Sequence, residues 1–213
     1  MVLTGTRWAL PVYALCKIVQ FAFPAFWVVA VEQRRLSLLR WPGRPGRPGA
    51  WIGFGSGVAF LALLAVARPA LLRLAAAAGA PAAVAAKLAA FGIRDLSGYL
   101  ALAVFYAACH SLLEEYYWRW FLFRHLRRRL PVSAAILLSS LAFAAHHVLV
   151  VGQLLGGYDA TTWLLAGAVA LGGAVWAWAY HESGSLYGPW LGHALADAGL
   201  LWLGWQIWRV GGA

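Results

Sequence analysis

Two adjacent carboxylates, Glu114 and Glu115, stand in an otherwise apolar and aromatic stretch from Tyr99 to Phe123. An ionised side chain at bilayer depth costs at least about 2.5–3.5 kcal/mol on insertion scales, so intramembrane acids mark functional sites by default. The chain has only seven acidic residues and places two of them here. Glu115 and Arg119 are four residues apart and share a helix face, so they can pair. Glu114 points about 100° away. One acid is thus anchored by a guanidinium while its neighbour is free for chemistry. Further along, His193 and Asp197 are again four apart, which lets a carboxylate orient an imidazole. His147 supplies a second imidazole. A glutamate, two histidines and a further carboxylate suit the activation of water. The glutamate takes the proton, imidazoles hold a metal or a developing oxyanion, and a low dielectric strengthens each contact.

The elements that must carry these residues are membrane helices. The 213-residue chain is 63% hydrophobic and 11% charged, with 13 Trp, and its mean hydropathy is +0.72. A soluble domain of that size cannot hide so much apolar surface. The charge balance, 17 Lys and Arg against 7 Asp and Glu, is +10. The cations cluster between apolar runs, where the positive-inside rule and anionic headgroups account for them, and no nucleic-acid role is indicated. Cys16 and Cys109 both sit in apolar runs, so no disulfide framework is implied. The abundance of Ala, Leu, Gly and Arg points to a GC-rich bacterial genome and hence to the bacterial inner membrane.

The fold class expected is all-α, a single polytopic transmembrane bundle over residues 1–213 with a buried polar site. Six spans are expected, with seven or eight as alternatives. The first is Trp8–Val31, read as a retained anchor rather than a signal peptide, with Lys17 snorkelling or facing the bundle. A basic loop follows, Glu32 to Gly49, with Gly-Arg-Pro turns that cannot continue a helix. The second span is Ala50–Ala67, and the Ala-rich stretch from Arg68 to Gly92 reads as interfacial or re-entrant. The third helix begins at an N-cap, Asp95 or Ser97, and runs to the cluster Arg124–Arg129. Pro131 opens a fourth helix through Val151; a fifth covers Thr162–Tyr180, and a sixth Leu186–Trp208. The two arginine-rich corners place the Arg34–Arg47 loop and the Arg124–Arg129 turn on the cytoplasmic side. Both termini are then outside.

Depth brings the polar residues together. Glu115 lies 14 residues before Arg129 and His147 lies 16 after Pro131, so each is about 20–25 Å from that corner along its helix. His193 enters from the same side after the 183–185 turn. The plain alternatives are a structural ion pair for Glu115 and Arg119, a hydrogen-bonded bundle histidine for His147, and an interface belt for the tryptophans. His146 competes with His147 if the helix is rotated. His110, one turn before Glu114, is a supporting partner or a bystander. His125 and its arginines read as an anchor, and Tyr116, Tyr117 and Trp118 as candidates for a substrate groove.

Three motifs in this order resemble the CPBP intramembrane proteases, which include the CAAX prenyl endopeptidases of the Ras-converting-enzyme type. Glu114-Glu115-Tyr-Tyr-Trp-Arg119 fits EExxxR, Phe143-Ala-Ala-His-His147 fits FxxxH, and His193-Ala-Leu-Ala-Asp197 fits HxxxN/D. The resemblance covers residues 95–200, the expected catalytic core. It implies an endopeptidase in which Glu114 activates water with His147, Glu115, Arg119 and Phe143 support the site, and His193 and Asp197 stabilise the oxyanion or assist binding. Members are described both as metalloproteases and as metal-independent glutamate proteases. No cofactor is certain; a divalent metal such as zinc would take Glu114, His147 and His193. His181-Glu182 lacks the second histidine of HExxH, so no separate zinc motif exists.

The activity expected is hydrolysis of a peptide bond near the C-terminus of a membrane-anchored or lipidated protein or peptide. The alternative is a non-enzymatic protein, a proton-coupled transporter or an immunity protein, whose buried Glu/His chain relays protons. The inverted repeats that would favour a transporter are not visible, because the polar residues lie almost entirely after residue 94.

Overall fold

The computed structural model describes residues 9–33, 35, 48–155 and 157–211 as a set of helices, with no strand among them. The Gly-Arg-Pro turns, with Arg34, Arg40, Arg44 and Arg47, lie outside the described residues. Helix α1 runs from Ala9 to Phe26 and continues as a π-helical stretch, Trp27–Val31. It is followed by α2 (Gly49–Ala77), α3 (Ala80–Ala90) and α4 (Leu96–Arg127). The last three are α5 (Val132–Leu155), α6 (Ala160–Ser183) and α7 (Tyr187–Gly211). Five of these seven are long and apolar enough to cross a membrane: α1, α2, α4, α5 and α6. Helix α7 has 25 residues, about 37 Å of rise, but Gly, Trp, His193 and Asp197 hold its hydropathy down. The protein is an integral membrane protein.

Local chemistry explains most boundaries. Asp95 is the N-cap of α4, its carboxylate accepting from Gly98 N at 2.8 Å; Asp159 caps α6 in the same way through Thr162 N at 3.0 Å. Gly184, at φ 65°, ends α6 in the left-handed conformation that glycine adopts without strain. The second span is longer than its apolar run. Helix α2 continues past Arg68, Pro69 and Arg73 to Ala77, and Arg68 reaches across to Gln206 and the Trp202 ring on α7. The rest of the Ala-rich stretch is the separate short helix α3, which lies against α7.

The most extensive helix interface joins α2 to α7. Gly49, Gly53 and Gly57 recur every fourth residue on α2; Gly53 and Gly57 are buried against Gly188 and Gly192 of α7, and Gly49 against Ala179 and Ser183 of α6. Such seams let membrane helices approach closely enough for dispersion to hold them, since lipid removes the hydrophobic drive. A Cβ on Gly57 would lie 2.8 Å from Gly192 O and 2.9 Å from its Cα. This seam sets the position of α7, and with it His193.

Helix α1 is held differently. Its main packing within the bundle is on the Tyr116–Phe123 part of α4, with Phe23 edge-on to Phe121 at 5.7 Å and Val28 in the core. Just below, Glu32 meets His125 Nε2 at 2.7 Å, Arg124 at 3.8 Å, and Arg128. His125 Nδ1 lies 2.6 Å from Phe121 O. This cluster joins the end of α1 to the end of α4, so these two helix ends share one side of the bundle.

Two outcomes follow for stability. Gly57→Ala forces the α2–α7 backbones apart and lowers stability by about 1–3 kcal/mol. Gly55→Ala, whose Cβ meets nothing within 4 Å, leaves stability unchanged or slightly raised. Thermal unfolding in detergent separates them. The Glu32 carboxyl is held down from 4.5 to about 2, first by the hydrogen bond from Arg128 and then by His125. Its contribution is therefore complete above pH 4.5 and fades as pH falls toward 2. Wild type and Glu32→Gln should differ in unfolding temperature above that window and converge below it.

Candidate active site

The site is built on α4, whose path is irregular. Two π-helical stretches, Phe105–His110 and Tyr116–Phe123, flank a single α-helical turn, Ser111–Glu115, that carries both glutamates. π-Helical segments cluster at functional sites. Within a membrane, carbonyls loosened from the regular ladder need other donors. Ser111 Oγ donates to Ala107 O at 2.5 Å, and the Trp190 indole of α7 donates to Ala108 O at 3.0 Å.

Glu115 and Arg119 form the expected pair, with Nη1 2.9 Å from Oε1 and exposures of 2% and 0% for arginine and glutamate. The guanidinium also donates to Gly173 O on α6 at 3.2 Å and lies 4.5 Å from the Phe143 ring centroid and 5.3 Å from that of Trp176. A Cβ at Gly173 would crowd this approach, sitting 3.2 Å from Arg119 Nη2 and 3.1 Å from Phe143. His193 Nδ1 donates to the same Glu115 oxygen at 2.8 Å, and its ring stacks on Trp176 at 4.4 Å and 17°. One buried carboxylate therefore orients both a guanidinium and an imidazole.

Glu114 is used differently. It is 1% exposed, and its Oε1 has no hydrogen-bond partner among the described residues. Four imidazoles surround it through their Nε2 atoms: His146 at 3.6 Å, His110 and His193 at 3.8 Å, and His147 at 4.0 Å. These separations exceed hydrogen-bond length but suit a bridging water. His147 Nδ1 donates to the Phe143 carbonyl at 3.0 Å, which turns Nε2 toward Glu114. Phe143 is thus doubly used, its carbonyl orienting His147 and its ring lying under Arg119. Asp197 stands 3.7 Å from His193 Nε2. Lys17 on α1 donates to Gln20 at 3.2 Å and lies within electrostatic reach of Glu114.

The structure thus brings Glu114, Glu115, Arg119, Phe143, His147, His193 and Asp197 together. It adds His146 and His110 around the same carboxylate, so the choice between His146 and His147 becomes a division of positions. His146 faces Oε1 and the Trp118 ring, and His147 faces Oε2. Gly173 and Trp176 are site residues that the motifs do not contain. Tyr116 and Trp118 are buried in aromatic packing.

A metal is a question of spacing. The imidazoles of His147 and His193 each have Nδ1 engaged by an oxygen, the usual arrangement of ligating histidines. Among the described residues, however, no three His, Cys, Asp or Glu side chains are gathered as a ligand set. Donors around tetrahedral zinc sit about 3.3 Å apart, closer than the 3.8 and 4.0 Å between Glu114 Oε2 and these two rings. The donors fit in kind and not in spacing.

Residues 96–199 match the family model described as type II CAAX prenyl endopeptidase Rce1-like. Over that segment the chain is similar to the CAAX proteases of the CPBP group. No curated protein and no solved structure gives a significant match to the chain.

Arg119→Leu leaves Glu115 buried with an uncompensated charge and should cost about 3–5 kcal/mol. Arg119→Lys should rescue little, because an ammonium cannot reproduce the planar fork between two rings. Thermal unfolding of the two variants against wild type checks both.

Proposed function

We propose that this protein is an intramembrane endopeptidase that cleaves a membrane-anchored or lipidated protein or peptide near its C-terminus. The observation that carries the reading is Glu114, a buried carboxylate with an unpartnered oxygen inside a ring of imidazole Nε2 atoms. The family match supports it. A water held between Glu114 and His147 loses a proton to Glu114 as its oxygen attacks the scissile carbonyl carbon. The carbonyl oxygen gains negative charge and is stabilised from His193, which Glu115 and Asp197 hold in place. Collapse of the tetrahedral intermediate breaks the C–N bond, and Glu114 returns the proton to the leaving amine. His146 and His110 tune the charge on Glu114 from its other oxygen.

The arginine-rich corners favour a cytoplasmic position for the α1–α2 and α4–α5 turns, in a bacterial inner membrane. A proton-relaying transporter would use the same Glu/His cluster but would not be expected to lose proteolysis on mutation.

Glu114→Gln keeps the shape and removes the base, so turnover should fall by about 10²–10⁴ with substrate still bound. Peptide termini of the host membrane proteome, compared between wild type and Glu114→Gln at matched expression, provide the check. One or a few proteins should accumulate uncleaved; an unchanged set of termini contradicts the protease reading. His147→Ala should cost more turnover than His146→Ala, because only His147 is oriented by the Phe143 carbonyl. A zinc chelator applied to the purified enzyme decides whether a metal takes part.

A further inference from the structure

A cleft separate from the glutamate site opens where α1 and α4 leave the membrane on the same side. Its volume is about 630 Å³, and its walls include Trp27 on α1 and Leu126 and Leu130 at the end of α4. Its rim carries Glu32, Arg128 and Arg129. Glu32 is already engaged by Arg124, His125 and Arg128, and Arg129 is exposed with no ion-pair partner among the described residues. The one carboxylate is over-supplied with cations, and the surplus faces an apolar slot at the depth where both spans end, Val31 and Arg127.

We propose that this cleft binds an anionic phospholipid, its phosphate on Arg129 and Arg128 and an acyl chain along Trp27, Leu126 and Leu130. Each part of the site selects one part of that ligand. A soluble phosphate has no use for the apolar walls, and a zwitterionic lipid cannot neutralise the rim. Basic residues near a membrane surface attract anionic headgroups by about 1 kcal/mol each, roughly a fivefold change in affinity. Cleft volumes in this range suit small amphipathic ligands. The bound lipid would bridge α1 to α4 beside the Glu32 cluster, reinforcing the helix with the least packing in the bundle. This inference does not depend on the catalytic reading.

The test uses the full chain purified in non-ionic detergent, with native mass spectrometry and thermal unfolding as readouts. The probes are dioleoylphosphatidylglycerol, dioleoylphosphatidylcholine and glycerol 3-phosphate. The expected result is retention of phosphatidylglycerol on the order of tenfold tighter than phosphatidylcholine, with a raised unfolding temperature. Glycerol 3-phosphate should have no effect. Arg129→Gln, at an exposed position, should weaken phosphatidylglycerol binding about fivefold and leave the lipid-free unfolding temperature unchanged. Equal stabilisation by phosphatidylcholine would overturn the proposal, as would the full effect from glycerol 3-phosphate alone. Undiminished phosphatidylglycerol binding in both Arg129→Gln and Arg128→Gln would also overturn it.

Discussion

A carboxylate and a guanidinium removed from water inside a membrane bundle must satisfy each other or be abandoned by the fold. The Glu115–Arg119 pair meets that demand through Glu115 Oε1, while Glu115 Oε2 has no hydrogen-bond partner among the described residues. Glu115 holds His193 on α7, Arg119 holds the Gly173 carbonyl on α6, and Phe143 of α5 and Trp176 of α6 flank the guanidinium. Four helices are thereby fixed around one ion pair at the depth of the glutamates. Burying such a pair is weak evidence for net stability; its clearer role is to specify one arrangement. Glu114, one residue away and facing elsewhere, inherits a rigid frame and shares the His193 ring with it.

The α2–α7 seam completes that frame from outside the motif region. Helix α2 carries none of the polar motif residues, yet its glycines let α7 close on it, and Ser56 accepts the Trp176 indole at 3.1 Å. Trp176 in turn stacks on His193. Helix α2 is therefore a wall of the site that the matched region alone would lack.

Much of this was legible in the sequence, and the exceptions have physical causes. Hydropathy located α1, α2, α4, α5 and α6 because apolar length is a direct requirement of a bilayer; α7, expected as a sixth span, is long enough but not apolar enough by that measure. The extension of α2 to Ala77 was hidden because Arg68 and Arg73 end the apolar run while leaving the helical backbone intact. Residues spaced by four were enough to expect the Glu115–Arg119 and His193–Asp197 contacts, and matched depth was enough to bring His147 to Glu114. Spacing could not choose between His146 and His147, since neighbours about 100° apart can both reach a carboxylate between them. Gly173 and Trp176 act through contacts distant in sequence, so no local pattern announces them. The recurrence at Gly49, Gly53 and Gly57 was a readable signal of close helix approach that hydropathy alone passes over.

The π-helical stretches around Glu114 and Glu115 make α4 intolerant of a particular kind of change. Each stretch counts its residues at a slower angular pace than the α-helical turn between them, and the directions of Arg119, Trp118 and Phe123 depend on that count. Side-chain replacement leaves the count alone. Loss or gain of one residue would not: it would rotate everything beyond it by about a quarter turn and swing Arg119 off Glu115. In this helix, length is a stricter inheritance than identity.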